Sequence, residues 1–145
     1  MKINPKNGID KLIFGMKQND VIAVYGKPNK NYKDEDDNVI FVYNDLKIRL
    51  TFYEEEDLKL GYLVASSPSL ELLGNKIINR KISDVKKDLA QKGITKFSQE
   101  EFDTFENYFN EENWIILQTE FDEVVKFEIG AIINNKDEFD WKFKK

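Results

Sequence analysis

Gly15-Met16-Lys17-Gln18-Asn19-Asp20-Val21-Ile22-Ala23-Val24-Tyr25-Gly26 and Lys81-Ile82-Ser83-Asp84-Val85-Lys86-Lys87-Asp88-Leu89-Ala90-Gln91-Lys92-Gly93 repeat one pattern: a polar start, an aspartate-valine step, a short amphipathic run and a closing glycine. The residues after each stretch also match. Leu46, Ile48, Leu50 and Phe52 correspond to Ile115, Leu117, Thr119 and Phe121, and Leu58, Leu60 and Tyr62 to Val125, Phe127 and Ile129, with small insertions between the matched pieces. Internal self-similarity of this kind is the signature of a recurring structural unit. The chain therefore reads as α+β, a single domain over 1–145 made of two α-β-β-β(-β) repeats at about 9–73 and 74–133 and a tail at 134–145. Its helices are expected on one face of one antiparallel sheet or two abutting sheets.

In the first unit Asn19 or Asp20 is placed to cap a short helix. Gly26-Lys27-Pro28 ends it, since glycine accepts the left-handed turn and proline cannot continue the helix. A polar loop over 29–38 precedes strands at 39–43, 47–53 and 58–64; Ile48, Leu50 and Phe52 alternate with Lys47, Arg49 and Thr51, so one face is buried. A fourth strand is predicted at 69–73. In the second unit Ser83 is the expected cap of a helix at about 84–92, with Val85 and Leu89, joined at the end by Ala90, as its inner stripe. Strands come next at 114–121 and 124–133. Residues 98–109 carry two signals: Ser98 with Glu101 fits a capping box and Phe102, Phe105 and Phe109 share a helical face, whereas alignment to the first unit demands a strand near 104–109. The repeat decides for strand. The alternating tail at 138–144 reads as an eighth strand or a docked arm.

Charge is divided in the same way. Residues 1–33 hold seven lysines against Asp10 and Asp20, and 76–96 hold seven Lys or Arg against Asp84 and Asp88. Residues 34–57 hold nine acids against Lys47 and Arg49, and 97–125 hold nine acids with no Lys or Arg. Helical stretches are basic and strand stretches acidic, a distribution suited to steering a partner of opposite sign. A net charge of −5 disfavours nucleic acid, which needs a concentrated basic surface.

The 145 residues contain no cysteine and no histidine. Disulfides, thiolate chemistry, histidine acid–base roles and the usual zinc sites are thereby removed, and the sequence is read as non-enzymatic with no cofactor and no metal. Asp34-Glu35-Asp36-Asp37-Asn38 with Asp45 imitates a calcium loop, but Val39 stands where that loop needs glycine, so an acidic surface loop is expected. Residues 1–8 lack the apolar stretch and small-residue cleavage site of a secretory signal, no apolar run approaches the ~20 residues of a membrane span, and the expected location is cytoplasmic.

Gly15, Asp20, Val21, Gly26 and Pro28 give residues 15–28 a resemblance to the small bacterial α/β module shared by the outer-membrane-assembly lipoproteins and the β-lactamase inhibitory proteins; the second unit has Gly93-Ile94-Thr95 in place of the Gly-x-Pro. In the inhibitory proteins two modules stand in tandem, and the resemblance implies a concave sheet surface that grips another protein. Bacterial immunity proteins are similarly small, acidic and aromatic. Together these imply a protein-binding module, an immunity-type inhibitor of a toxin, with a basic toxin suiting the acidic field. Cysteines of a secreted inhibitor are absent, so an intracellular target is expected. An envelope or assembly-factor module and a small-ligand binder remain the alternatives.

Tyr and Trp most often anchor protein interfaces. Tyr43, Tyr53, Tyr108, Trp114 and Trp141 lie in or beside the acidic stretches, and each either lines the core or faces a partner. The expected contact set is Tyr43, Tyr53, Glu54, Glu55, Glu56, Tyr108, Glu111, Glu112 and Trp114, aromatics supplying area and acids orientation.

Overall fold

Three short strands, β1 (Lys2–Asn4), β2 (Gly8–Ile9) and β3 (Leu12–Ile13), lead into α1 (Gln18–Tyr25) in the computed structural model, which describes residues 1–144. Lys145, the end of the expected tail, lies outside the described residues. A run of β4 (Lys30–Lys33), β5 (Val39–Tyr43), β6 (Ile48–Tyr53), a 3-10 turn at Glu54–Glu56 and β7 (Lys59–Ala65) comes next. After β8 (Glu71–Leu72), β9 (Asn75–Lys76) and α2 (Ile82–Ala90) comes a second run, β10 (Ser98–Glu101), β11 (Glu106–Asn110), β12 (Ile115–Glu120) and β13 (Glu123–Gly130).

The fold is α+β, with two helices and two sheets among the described residues. The eight-stranded sheet has the order β10-β11-β12-β13-β7-β6-β5-β4 and the five-stranded sheet the order β3-β2-β1-β8-β9. Outward from the β13·β7 pair, each side meets its strands in descending chain order. The small sheet is closed by a parallel pairing of β1 with β8, through Lys2↔Glu71 and Ile3↔Leu72.

Pairing explains the alternation in the sequence. Phe41↔Leu50↔Leu63↔Ile129↔Ile115↔Asn110 form one row across six strands, and all six side chains are buried. Asn110, the polar member, is satisfied: its amide donates to the Lys96 carbonyl at 2.9 Å and its oxygen accepts from the Asn113 backbone and side chain, each at 3.0 Å. Val21 of α1 and Ile82, Val85 and Leu89 of α2 join these residues in one core cluster. The next row, Lys30↔Val42↔Arg49↔Val64↔Glu128↔Ile116↔Phe109↔Ser98, points to the opposite face.

Both helices begin earlier than expected. Asp20 is not the cap of α1; its carboxylate reaches back to the Lys17 N–H at 2.9 Å, the role of a third helical residue, and Lys17 is the cap. In α2 the cap is Lys81 and not Ser83, because the buried stripe includes Ile82, which must already be helical to align with Val85 and Leu89. Ala90 is exposed and takes no part in that stripe. Gly26 closes α1 at φ 79°.

Other expectations are corrected in detail. Residues 30–33 are an edge strand within the predicted loop. The strand predicted at 69–73 shrinks to Glu71–Leu72 and belongs to the small sheet. Ser98 opens strand β10, so the capping-box match has no helix behind it. The tail forms no strand beyond a bridge between Ile133 and Phe139; it is a docked arm whose Lys142 and Phe143 N–H groups both donate to the Phe14 carbonyl, at 3.1 and 3.0 Å.

The two rows predict unequal costs of truncation. Leu50→Ala, in the inner row, lowers unfolding free energy by about 2–5 kcal/mol, whereas Val42→Ala, in the outer row, costs less than about 1 kcal/mol. Urea denaturation of both variants checks this, and equal losses would refute the assignment of faces.

Candidate functional site

The face of the eight-stranded sheet turned away from the helices is open and carries rings. Lys30, Tyr32, Arg49 and Trp114 are exposed on it, and Val42, Tyr62, Phe109, Ile116, Lys126 and Glu128 are half-buried. Ile40 and Val64 are buried, yet they stand outside the core cluster, packed among their neighbours on this outer face.

Two glycines form the floor for its largest rings. A β-carbon at Gly130 would lie 2.4 Å from Trp114 Cδ1 and 3.1 Å from Tyr62 Cδ1, and one at Gly61 would lie 2.1 Å from the Tyr53 ring. Only glycine permits such approach. Phe109 meets the edge of Trp114 at 5.0 Å between centroids, and on the other side Tyr53 continues through Phe139 at 5.7 Å to Trp141, over which Lys59 Nζ stands at 5.5 Å. Trp114 itself has φ +50°, a left-handed backbone that a ring-bearing residue seldom adopts. Its carbonyl accepts the Gly130 N–H at 3.0 Å, so turn and ring are fixed together.

Between the two rings Tyr62 Oη donates to Glu128 Oε1 at 2.6 Å. Burial, reinforced by that carboxylate, pushes the Tyr62 phenol well above its usual range, so it remains a donor at any physiological pH. Glu128 is thereby drawn toward Tyr62, and the side chain of Arg49, two strands away in the same row, makes no ion pair or hydrogen bond among the described residues. Arg49 joins Lys30, Lys47 and Lys126 around a shallow basin with Tyr32, Val42 and Val64 and no carboxylate in its lining. A second basin is lined by Tyr53, Tyr62, Phe109, Trp114 and Ile116 together with Ser98, Glu100 and Asn107. One half of the open face is cationic and the other aromatic.

Strand direction gathers the expected acids at the aromatic end. Because Leu50, Leu63, Ile129 and Ile115 share a row, the turn after β6 and the turn before β12 leave the sheet at the same end. Glu54 and Glu55 are exposed and Glu56 half-buried in the first turn, and Glu111 and Glu112 are exposed in the second. Tyr53 and Trp114 therefore stand beside these five carboxylates.

Tyr43 and Tyr108 do not. Both point inward: Tyr43 is packed against Tyr25 and donates to the Gly26 carbonyl at 2.8 Å, and Tyr108 donates to Glu106 Oε2 at 3.0 Å beneath Lys86. Trp141 is half-buried in the arm. The open face contributes instead Tyr62, Phe109, Ile116 and Arg49, which sequence reading passed over. Their signal was parity, each falling out of phase with the buried residues of its own strand.

The acidic loop before β5 is held by its own side chains. Asp34 accepts from the backbone N–H groups of Asp36 and Asn38, at 2.9 and 3.0 Å, and from the Asn38 amide at 3.2 Å. Desolvation pushes its carboxyl upward, but these hydrogen bonds outweigh it and hold the group below its usual value. No group of three or more Asp or Glu among the described residues is placed to hold a metal ion. No helix among them is long and apolar enough to cross a membrane. What the face offers chemically is area, ring edges, one fixed phenol and unpaired cations, which suits contact with a surface.

No protein-family model matches the chain, and no curated protein matches it. Among solved structures it is similar to an extracellular protein containing an SCP domain from Bacillus anthracis str. Ames, with 18% identity and a TM-score of 0.53 over 80% of this chain. The chain spans 43% of the length of that protein, and at this identity the likeness is one of fold alone.

The site makes two outcomes measurable. Gly130→Ala forces Trp114 off its floor; in a Trp141→Phe background the fluorescence of the remaining tryptophan shifts to the red, and stability falls by about 1–3 kcal/mol. An unchanged spectrum would place the ring elsewhere. Burial pushes Tyr53 and Tyr108 up to about 12 from an ordinary 10.0. The folded chain then holds protons that the unfolded chain releases, so stability is intact below pH 10 and declines as pH rises from 10 toward 12. Urea midpoints across that range should fall for the native chain and fall less steeply for Tyr108→Phe.

Proposed function

We infer that the chain is a non-enzymatic protein-binding module of the immunity type, which neutralises a toxin or effector by covering it with the open face of the large sheet. The observation that carries this reading is the pair of rings seated on Gly61 and Gly130, half-exposed on a face that no helix covers. Interfaces draw their energy from a few rigid aromatic anchors held in place before the partner arrives. Glu54–Glu56 and Glu111–Glu112 at the same end raise the encounter rate with a basic partner, while the cationic half around Arg49 opposes docking in the reversed orientation. The matching strand order on either side of β7·β13 supports descent from two copies of one module, as in the tandem inhibitory proteins.

A second reading is an envelope or extracellular binding module. It is favoured by the description of the structural neighbour as extracellular.

The test is affinity capture from the native host with the wild-type chain, and then kinetics on the protein recovered. Trp114→Ala should weaken binding by about 30-fold or more, chiefly through faster dissociation. Glu54→Lys and Glu111→Lys should slow association and flatten its salt dependence. A partner indifferent to all three substitutions would overturn the reading. Cell fractionation separates the two versions: recovery of chain and partner in the cytoplasm supports the immunity form, and recovery outside the cell the envelope form.

A further inference from the structure

At the opposite end of the large sheet, away from Trp114, the β10–β11 and β12–β13 hairpins meet in an acidic tip that carries exposed rings. Glu120↔Glu123 closes a two-residue turn of Phe121 and Asp122, with φ +50° and +64°. A turn left-handed at both central positions is the type I′ hairpin, where Asn and Gly predominate because a side chain with a β-carbon and a ring is strained there. Phe121 is 99% exposed. Its ring therefore buries nothing and its backbone is unfavourable, so it serves the fold less well than asparagine would.

The turn is nonetheless held in place. The Asp122 carbonyl accepts the Ile82 N–H at 2.8 Å, and Val124 exchanges backbone bonds with Asn79 and Arg80, at 2.7 and 2.8 Å. The ring projects from an anchored base. Beside it Phe102, 44% exposed, stacks on Phe105 at 4.6 Å. Asp103, Glu106, Glu120 and Asp122 line the hollow between the two hairpins, and no cation does. Lys81 bridges Glu123 through its backbone and Lys126 follows Asp122 by four residues, yet none of these acids forms an ion pair among the described residues.

We propose that this tip is a second docking site, for a cationic segment of another protein: its Lys or Arg groups meet the exposed carboxylates of Asp103, Glu120 and Asp122, and an apolar side chain covers Phe121. Charge decides the occupant. Nucleic acid and anionic lipid are repelled by an all-acidic rim, whereas Lys and Arg gain both the carboxylates and the faces of three phenylalanine rings. The site shares no residue with the open face and stands independently of the function proposed for it.

The probe is a synthetic peptide of alternating lysine and leucine, titrated into isotope-labelled full-length chain and monitored by NMR. Shifts confined to residues 102–106 and 119–123 are expected, persisting in Trp114→Ala. In Phe121→Asn and Asp122→Lys, affinity should fall by about tenfold or more. Phe121→Asn should at the same time raise Tm by a few degrees, since strain is relieved and no contact is lost. A lowered Tm would make Phe121 a structural residue and end the proposal. So would equal binding by Phe121→Asn, equal binding of a lysine–serine peptide, or a response to phosphatidylcholine vesicles in place of the peptide.

Discussion

Four residue pairs between β7 and β13, Tyr62↔Gly130, Leu63↔Ile129, Val64↔Glu128 and Ala65↔Phe127, join the two halves of the large sheet. Every other pairing in that sheet connects strands consecutive in the chain, so this is its one long-range ladder. Its register fixes both faces at once. Leu63, Ala65, Phe127 and Ile129 go to the core, while Tyr62, Val64, Glu128 and Gly130 come to the open side. A slip of one residue would exchange the two sets. Two features of the open face rest on that register: the bond from Tyr62 to Glu128 and the seat of Trp114 on Gly130.

How much of this the sequence discloses depends on whether a residue's partner is near or far. Strands β5, β6, β7, β12 and β13 were legible within a few residues at their ends, because each is half-buried and alternates. β4 and β10 are edge strands whose every residue is exposed, so no alternation marks them. The small sheet escaped because strands of two or three residues leave no pattern at all, and β1 finds its neighbour β8 at the far side of the first half. Parity within a strand could be read, but which parity faces outward could not be in β11, where buried Asn110 and Tyr108 share a phase with Glu106. The burial of Asn110 is possible only because Lys96 and Asn113 satisfy it, a fact of tertiary structure.

The charge pattern was legible as composition, and folding rearranges what it means. Acidic stretches became turns at both ends of the large sheet, while Lys30, Lys47, Arg49 and Lys126 line a basin that runs from its open side to the β5–β6 turn, at the end that also carries Phe121 and Asp122. Alternating signs along the chain thus became a surface with separate acidic and cationic patches. On such a surface orientation is set by the sequence of signs met across the sheet, more than by a net charge of −5.

Trp114 and Phe121 share one strained backbone and have opposite surroundings. Both take φ +50° directly beside β12, Trp114 just before it and Phe121 just after, where a smaller residue would relieve the chain. For Trp114 the strain is offset locally: its ring fills the space above Gly130 and meets Phe109, and its carbonyl is bonded. Folding alone accounts for it, even if a partner later uses the part that stays exposed. Phe121 has no such return, since the Asp122 bond to Ile82 runs through the backbone and would survive any side chain at 121. A strained position kept by packing and one kept without it require different explanations, and only the second points outside the molecule.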